Sequence, residues 1–306
     1  MKLKNISFAV LGLSMLFTAC KKEESPVASE DLGIVQQFEP PANADPAVKA
    51  AFNGYGLWIR MDFTNPKEVS NAILFNDVGN RFGATKIDEN QRQAVITYSQ
   101  KLLSNVSEKY SKSFFPLEFF FVKTYNGSWW AKDIQALGRS RLVICWPNQM
   151  RNAQPVIDPE NHYYRDSVLT RSVWSNVGSM ITLRMDTPVE GFELAGKAYD
   201  NGVASKKIQD AYLEDRDQDK RDAALAELAF IGGFIEGSGS SSFETDFPQW
   251  LTLLTTESYD NIKKKYLDNN QRRTKKYEIL IKYFKSYGWD IQAAGNKYRQ
   301  QLDLYK

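Results

Sequence analysis

The pattern of apolar residues changes along this chain, and that change constrains the fold more than any other feature. Leu117–Val122 and Leu142–Trp146 are short, mostly apolar runs that predict buried strands, and residues 59–63 are a third candidate. Strands followed by helices are typical of an α+β fold, here a small sheet packed on helices and a helical C-terminal half. Apolar residues at helical spacing predict that half, with helices over 167–184, 204–214, 219–231, 244–256, 258–267, 272–287 and 289–303.

Two helices are predicted before residue 167. Asp45 followed by Pro46 indicates a helix start, with the acid as cap and the proline in the first turn. A second helix is predicted from Asp88 to about Tyr110, because apolar residues recur at helical spacing within it. The Gly-Ser stretch of residues 237–242 predicts a loop, and it lacks the lysine that phosphate-binding loops use.

The first residues have the pattern of a secretory signal. Met1–Asn5 carries two lysines, and Ile6–Ala19 is an apolar stretch shorter than the roughly 20 residues of a membrane-spanning helix. A positive end, a short apolar core and small residues before a cleavage point predict a signal peptide over residues 1–19.

The junction Leu16–Cys20 reads LFTAC and resembles the lipobox of bacterial lipoproteins. The resemblance implies acylation of Cys20 with palmitate-type chains, which would anchor the mature protein to a membrane without a membrane-spanning helix. Lys21–Glu24 resembles the charged tag of lipoproteins exposed on the surface of the outer membrane, so we expect that location. The alternatives are an ordinary signal peptide with an incidental cysteine and a plain solvated linker.

Residues 20–45 contain three prolines and few large apolar residues, which predicts a flexible tether before one domain over residues 46–306. Loss of Lys2 and Lys4 with the signal peptide leaves 37 basic residues from 39, equal to the 37 acidic ones. This neutral balance gives no reason to expect a nucleic-acid partner. The basic runs Lys263–Lys265 and Arg272–Lys276 are interpreted as solvated helix faces.

Cysteine and histidine are scarce. Cys145 lies in a predicted strand and is the only cysteine besides Cys20, so we interpret it as a buried thiol. His162 is the only histidine, which excludes a metal site built from several histidines.

Four stretches, in this order, carry a family resemblance. Residues 57–64 read LWIRMDFT, the helix from residue 88 precedes two strands, residues 233–247 read GFIEGSGSSSFETDF, and residues 276–291 read KYEILIKYFKSYGWDI. Together they resemble the substrate import-associated zinc metallohydrolases, lipoproteins that accompany starch-utilisation-type TonB-dependent importers. The resemblance implies a zincin-like (metallopeptidase-like) domain, a zinc ion and an importer as partner.

Members of that family should carry H-E-x-x-H on a helix, where two imidazoles bind Zn²⁺ and the glutamate is general base. Aligned on Gly178, the chain has Ser175, Asn176 and Ser179 at the positions of His, Glu and His. A hydroxyl is a poor zinc ligand, and an amide accepts no proton near neutral pH. We therefore expect no catalytic residues, no metal and no other cofactor at these degenerate metal-site positions.

Other residues are candidates for a metal site that would restore hydrolytic activity. Glu244 and Asp246 resemble the family's acidic pair and are possible cleft acids, and His162 together with them would make a non-standard metal site. The competing interpretation has the two acids in the first turn of a helix, where they complement its dipole, and His162 on a loop.

Three functions remain open. The first is a catalytically inactive relative of the zinc lipoproteins that serves as accessory or binding component of nutrient import. The second is a surface lipoprotein that binds a glycan or peptide through aromatic clusters, with Trp129 and Trp130 in one and Tyr163, Tyr164 and Trp174 in the other. The third is an active hydrolase with a non-standard site, either a metallohydrolase or a metal-free enzyme using Asp or Glu.

Overall fold

A four-stranded mixed sheet is built, in order across the sheet, from β1 (Trp58–Arg60), β3 (Glu118–Val122), β6 (Arg141–Cys145) and β5 (Ile134–Leu137). β1, β3 and β6 are parallel, and β5 pairs antiparallel with β6 at one edge. Two smaller antiparallel pairs join β2 (Gly83–Thr85) to β4 (Thr124–Asn126), and β7 (Met150–Arg151) to β8 (Gln154–Pro155).

The computed structural model describes residues 39–70, 83–126, 133–146, 150–151, 154–155, 164–193, 195, 217–236 and 242–303. All of them belong to one compact unit, Glu39–Lys306. These residues form nine α-helices: α1 (Pro46–Tyr55), α2 (Arg92–Leu103), α3 (Glu108–Phe114), α4 (Thr170–Thr182), α5 (Gln218–Gly232), α6 (Phe243–Thr256), α7 (Tyr259–Ile262), α8 (Gln271–Ser286) and α9 (Ile291–Asp303). None of the described helices combines the length and the apolar character needed to span a bilayer.

Both faces of the central sheet are buried, which explains the nearly continuous apolar runs of its strands. Phe119 and Phe121 point to one face, where they join the large core formed with the helices. Phe120 and Val122 point to the other face, where a smaller core includes Cys145. The prediction of a buried thiol is confirmed, since Cys145 is 4% exposed.

Two buried arginines and two half-buried glutamates join one end of the sheet to the segment that follows β1. Glu118 accepts a hydrogen bond from Arg141 at 2.6 Å and lies 3.8 Å from Arg60. Arg60 also pairs with Glu68 at 3.0 Å, and Arg141 donates to the carbonyls of Glu68 and Val69. Each charge therefore has an opposite charge or a carbonyl as partner, as buried ions require.

The α+β class is confirmed, as are the strands near 117–122 and 142–146. Asp45 caps α1 as predicted, accepting a hydrogen bond from the backbone N–H of Ala47 at 2.7 Å. The single helix over 88–110 is wrong, because the chain breaks between α2 and α3. Ser107 starts α3 by accepting from the backbone N–H of Tyr110, and it donates to the carbonyl of Tyr287 at 2.6 Å.

Among the described residues of the helical half, most predicted helices are confirmed and one is divided. α4, α5, α6, α8 and α9 lie within a few residues of their predicted ranges. The predicted helix over 258–267 is divided into α7 and a π-helical turn, Lys263–Leu267, and a similar turn, Tyr164–Leu169, precedes α4. The predicted helix over 204–214 lies outside the described residues.

The close crossing of α4 and α6 sets the geometry of the site. A β-carbon added to Gly178 would lie 2.7 Å from the Cα atom of Pro248, closer than side chains pack. At the other end of α6, a β-carbon on Gly295 of α9 would lie 2.3 Å from the carbonyl oxygen of Leu254. Glycine therefore allows both neighbouring helices to approach the α6 backbone.

Candidate functional site

The three degenerate positions lie on the side of α4 that faces away from the core. Val173, Val177 and Ile181 recur at helical spacing and are fully buried. Ser175 and Ser179 are exposed, and Asn176 is half-buried beside them. The sequence thus keeps polar residues on the outer face of a helix whose other face is core.

Ser175 and Asn176 line a groove with a volume of about 310 Å³. A volume of that order is enough for a small ligand, because ligand pockets hold about 300–1,000 Å³. The α4 side of the groove consists of hydroxyl, amide and guanidinium groups. Its lining residues are Arg171, Ser172, Ser175 and Asn176 from α4, Gln249, Thr252 and Leu253 from α6, Ile235 and Glu236 from the turn after α5, and Tyr266.

Local hydrogen bonds hold these polar side chains in place. The Asn176 amide donates to the carbonyl of Ser172 at 2.8 Å, and Thr252 donates to the carbonyl of Pro248 at 2.8 Å. Gln249 accepts a hydrogen bond from the backbone N–H of Glu236 at 3.1 Å. A side-chain amide has two N–H donors and one carbonyl, so Asn176 and Gln249 keep hydrogen-bonding capacity beyond these contacts.

Ser179, the third degenerate position, does not line this groove. Its hydroxyl donates to the carbonyl of Ser175 at 3.2 Å, within the same helix. The two serines are one turn apart and both exposed, but only Ser175 lies at the groove.

The residues at the degenerate positions do not fit a zinc ion. They offer two hydroxyls and one amide, whereas zinc sites use thiolate, imidazole or carboxylate. Within the residues that the structure describes, no three His, Cys, Asp or Glu side chains come together as a metal site would need. His162 lies outside the described residues, so its role stays a prediction.

The two possible cleft acids both lie in the first turn of α6 but differ in burial. Glu244 is exposed in the first turn of α6, whereas Asp246 is 3% exposed. Neither lines the groove as the structure describes it, and the carboxylate that does is that of Glu236. Sequence reasoning missed Glu236 because it follows α5 and reaches the groove only through the tertiary fold.

Asp246 forms a buried ion pair with Lys276 of α8, and its carboxylate lies 2.7 Å from the ammonium group. Burial raises the pKa of Asp246 to about 6, and the neighbouring ammonium opposes that rise. Burial also lowers the pKa of Lys276, with Asp246 opposing the change. The prediction of a solvated face is therefore wrong for part of the second basic run, since Lys276 is 1% and Arg273 8% exposed.

The other predicted residues are either outside the described ranges or in the core. Cys20, Trp129, Trp130 and Tyr163 lie outside the described residues, as does the Gly-Ser stretch up to residue 241, so the predictions about them stay predictions. The side chain of Tyr164 is not described either. Trp174 is 4% exposed and packs 6.1 Å from the ring of Trp289, so it belongs to the core rather than to a binding surface.

A second, smaller cavity lies between α2, α4, α6 and α9. Its volume is about 30 Å³, room for one or two water molecules. Tyr98 and Thr170 in its wall share a hydrogen bond of 3.1 Å. The groove is therefore the larger candidate for a ligand site.

Comparisons with protein-family models, with curated proteins and with solved structures return no match to this chain.

Proposed function

We propose that this chain is an exported lipoprotein, acylated on Cys20, that binds a polar ligand in the groove between α4 and α6. It is proposed to be a catalytically inactive relative of zinc metallopeptidase lipoproteins, an accessory or binding component of a nutrient-import system at the outer-membrane surface. A TonB-dependent importer is its proposed partner, and the lipid on Cys20 its membrane anchor.

The observation that carries the proposal is the placement of Ser175 and Asn176. They occupy the positions where the resemblance expects a metal ligand and a general base, and they line a groove instead of packing in the core. A groove that lacks metal ligands and a general base is suited to binding a ligand without catalysing a reaction. The sheet followed by α4 supports the finer proposal of a zincin-like domain.

The composition of the groove favours a ligand rich in hydroxyl or amide groups, such as a glycan or a peptide. Ser172, Ser175 and Thr252 supply hydroxyls, and Asn176 and Gln249 supply amides. Each of these groups both donates and accepts hydrogen bonds, as sugar hydroxyls and peptide groups do.

Two matched substitutions on one helix test the binding site. Ser175→Trp places an indole in the groove, and Ser179→Trp places the same group one turn away on a serine that is also exposed. On glycan and peptide arrays, we expect the first variant to lose the binding of the unchanged chain and the second to keep it. Equal binding by both variants would place the site elsewhere.

The alternative of an active metallohydrolase with a non-standard site depends on His162 together with Glu244 or Asp246. Hydrolysis of a peptide or glycan panel that a chelator abolishes, and that His162→Ala also abolishes, would favour it over the binding function.

A further inference from the structure

The turn of residues 233–236, here called the wall turn, supplies one wall of the groove and lies directly on α8. Gly233 has a φ of +72°, and a β-carbon there would lie 2.6 Å from the β-carbon of Arg272. Two and three residues after Gly233, Ile235 and Glu236 line the groove. The position of α8 against this turn therefore affects the shape of the groove.

Buried cations of α8 hold the wall turn through Phe234. The Arg273 guanidinium donates to the carbonyl of Phe234 at 2.8 Å. The Lys276 ammonium lies 4.1 Å from the centre of the Phe234 ring, within the range of a cation–π contact. Asp246 of α6 fixes that ammonium at 2.7 Å, so the carboxylate, the ammonium and the ring form a chain from α6 to the wall turn.

The burial of this chain of contacts indicates a role in geometry. Lys276 and Asp246 are 1% and 3% exposed, and a buried ion pair is weak evidence for stability because desolvation offsets the attraction between its charges. Such a pair tolerates few arrangements, since each charge needs its partner at hydrogen-bond distance. Phe234 is thereby confined to one position relative to α6.

We infer that Asp246 and Lys276 are positioning residues for the groove, and that they set the distance between Glu236 on the wall turn and Ser175 on α4. The inference rests on the proposed function for its biological meaning, because the width of the groove matters only if the groove binds a ligand. It predicts that both charges can be removed without unfolding the chain but not without widening the groove.

The test measures the width of the groove directly. Glu236→Cys and Ser175→Cys carry spin labels in the full chain with Cys20→Ser, while Cys145 is buried and escapes labelling. Pulsed electron resonance gives the distance distribution between the labels. We expect a narrow distribution in this background and a broader one with a longer mean distance when Asp246→Asn and Lys276→Met are added together. This pair of substitutions leaves no unpaired buried charge and keeps an apolar chain in place of the lysine.

Two further variants make the outcome decisive. Lys276→Arg keeps a cation beside Asp246 and should retain the narrow distribution. Arg60→Met removes a buried cation paired with Glu68 at the sheet, outside the groove lining, and should lower stability without changing the label distance. An unchanged distribution in the double variant, or an equal broadening in Arg60→Met, would overturn the inference. The measurement needs no ligand, so failure to bind on arrays would overturn the proposed function alone.

Discussion

At the residue scale, the surroundings of two acids, Asp246 and Asp62, shift their pKa values in opposite directions. Asp246 is buried, and the resulting desolvation raises its pKa to about 6 even though Lys276 is beside it. Asp62 is exposed and accepts two hydrogen bonds from Arg92, and this contact lowers its pKa. Burial dominates at the first acid and hydrogen bonding to a cation at the second.

The opposite directions of these two pKa changes predict opposite pH dependences. Asp246 takes up a proton in the folded chain near pH 6 but in the unfolded chain only near 3.8, so its contribution to stability grows as the pH falls. The free-energy difference between the unchanged chain and Asp246→Asn should increase in favour of the unchanged chain from pH 7 to pH 4. A pKa raised from 3.8 to about 6 corresponds to a change on the order of 3 kcal/mol at most.

Asp62→Asn is the matched control. The folded-state pKa of Asp62 is lowered, so its stabilising contribution is present above its unfolded pKa and is lost as the pH falls through the folded value. Urea unfolding at several pH values gives the free energy of unfolding of both variants and of the unchanged chain. Parallel trends in the two variants would contradict the assignment of burial as the dominant cause at Asp246.

At the element scale, the crossing of α4 over α6 positions the groove. Gly178 lets the two backbones approach, and Ser175 and Asn176 lie on the same helix within one turn of this contact. α6 contributes its own groove residues just after Pro248, namely Gln249, Thr252 and Leu253. Gly178 therefore affects both the packing of the two helices and the groove that they line.

Gly178→Ala should destabilise the chain, because its methyl group would lie 2.7 Å from the Pro248 backbone. Overpacking of this kind costs about 1–3 kcal/mol. Gly54→Ala in α1 is the control, since a methyl group there meets only the flexible Glu108 carboxylate at 3.3 Å. Thermal unfolding should show a clear loss for the first variant and little change for the second, and similar losses in both would argue against a close crossing.

Some helices and strands could be predicted from the sequence and others could not. The central strands were predictable because both of their faces are buried, as at Phe119 and Phe120, so their apolar runs stand out. β2, β4 and β5 were missed because they are short and, unlike the equally short β1, are not buried along their whole length. The break before α3 depends on the cap at Ser107 and on its long-range bond to Tyr287, which periodicity does not report.

The candidate site was less predictable than the fold. Ser175 and Asn176 were singled out by the family resemblance, which aligns them with the zinc motif, whereas Glu236 and Gln249 come from elements distant in sequence. A groove assembled from four elements depends on tertiary contacts, and these cannot be read from the residue pattern of a single sequence. Lys276 was misjudged for the same reason, since a basic run is usually solvated and its buried partner lies 30 residues away.

At the scale of the whole molecule, the proposed lipid on Cys20 would place the groove at a membrane surface. Cys20→Ser should abolish acylation and release the protein from the membrane fraction, because the acyl groups on Cys20 are the proposed anchor. Fractionation of cells and the intact mass of the mature protein measure this outcome. A variant that stays in the membrane fraction would contradict lipid anchoring.

The proposed loss of zinc chemistry concerns the whole molecule, because the chain has only one histidine to supply an imidazole ligand. The direct test is the zinc content of the full-length protein, measured by elemental analysis after purification without added metal or chelator. We expect far less than one zinc per chain. One tightly held zinc ion per chain, retained through dialysis, would contradict the account of a groove that binds without metal.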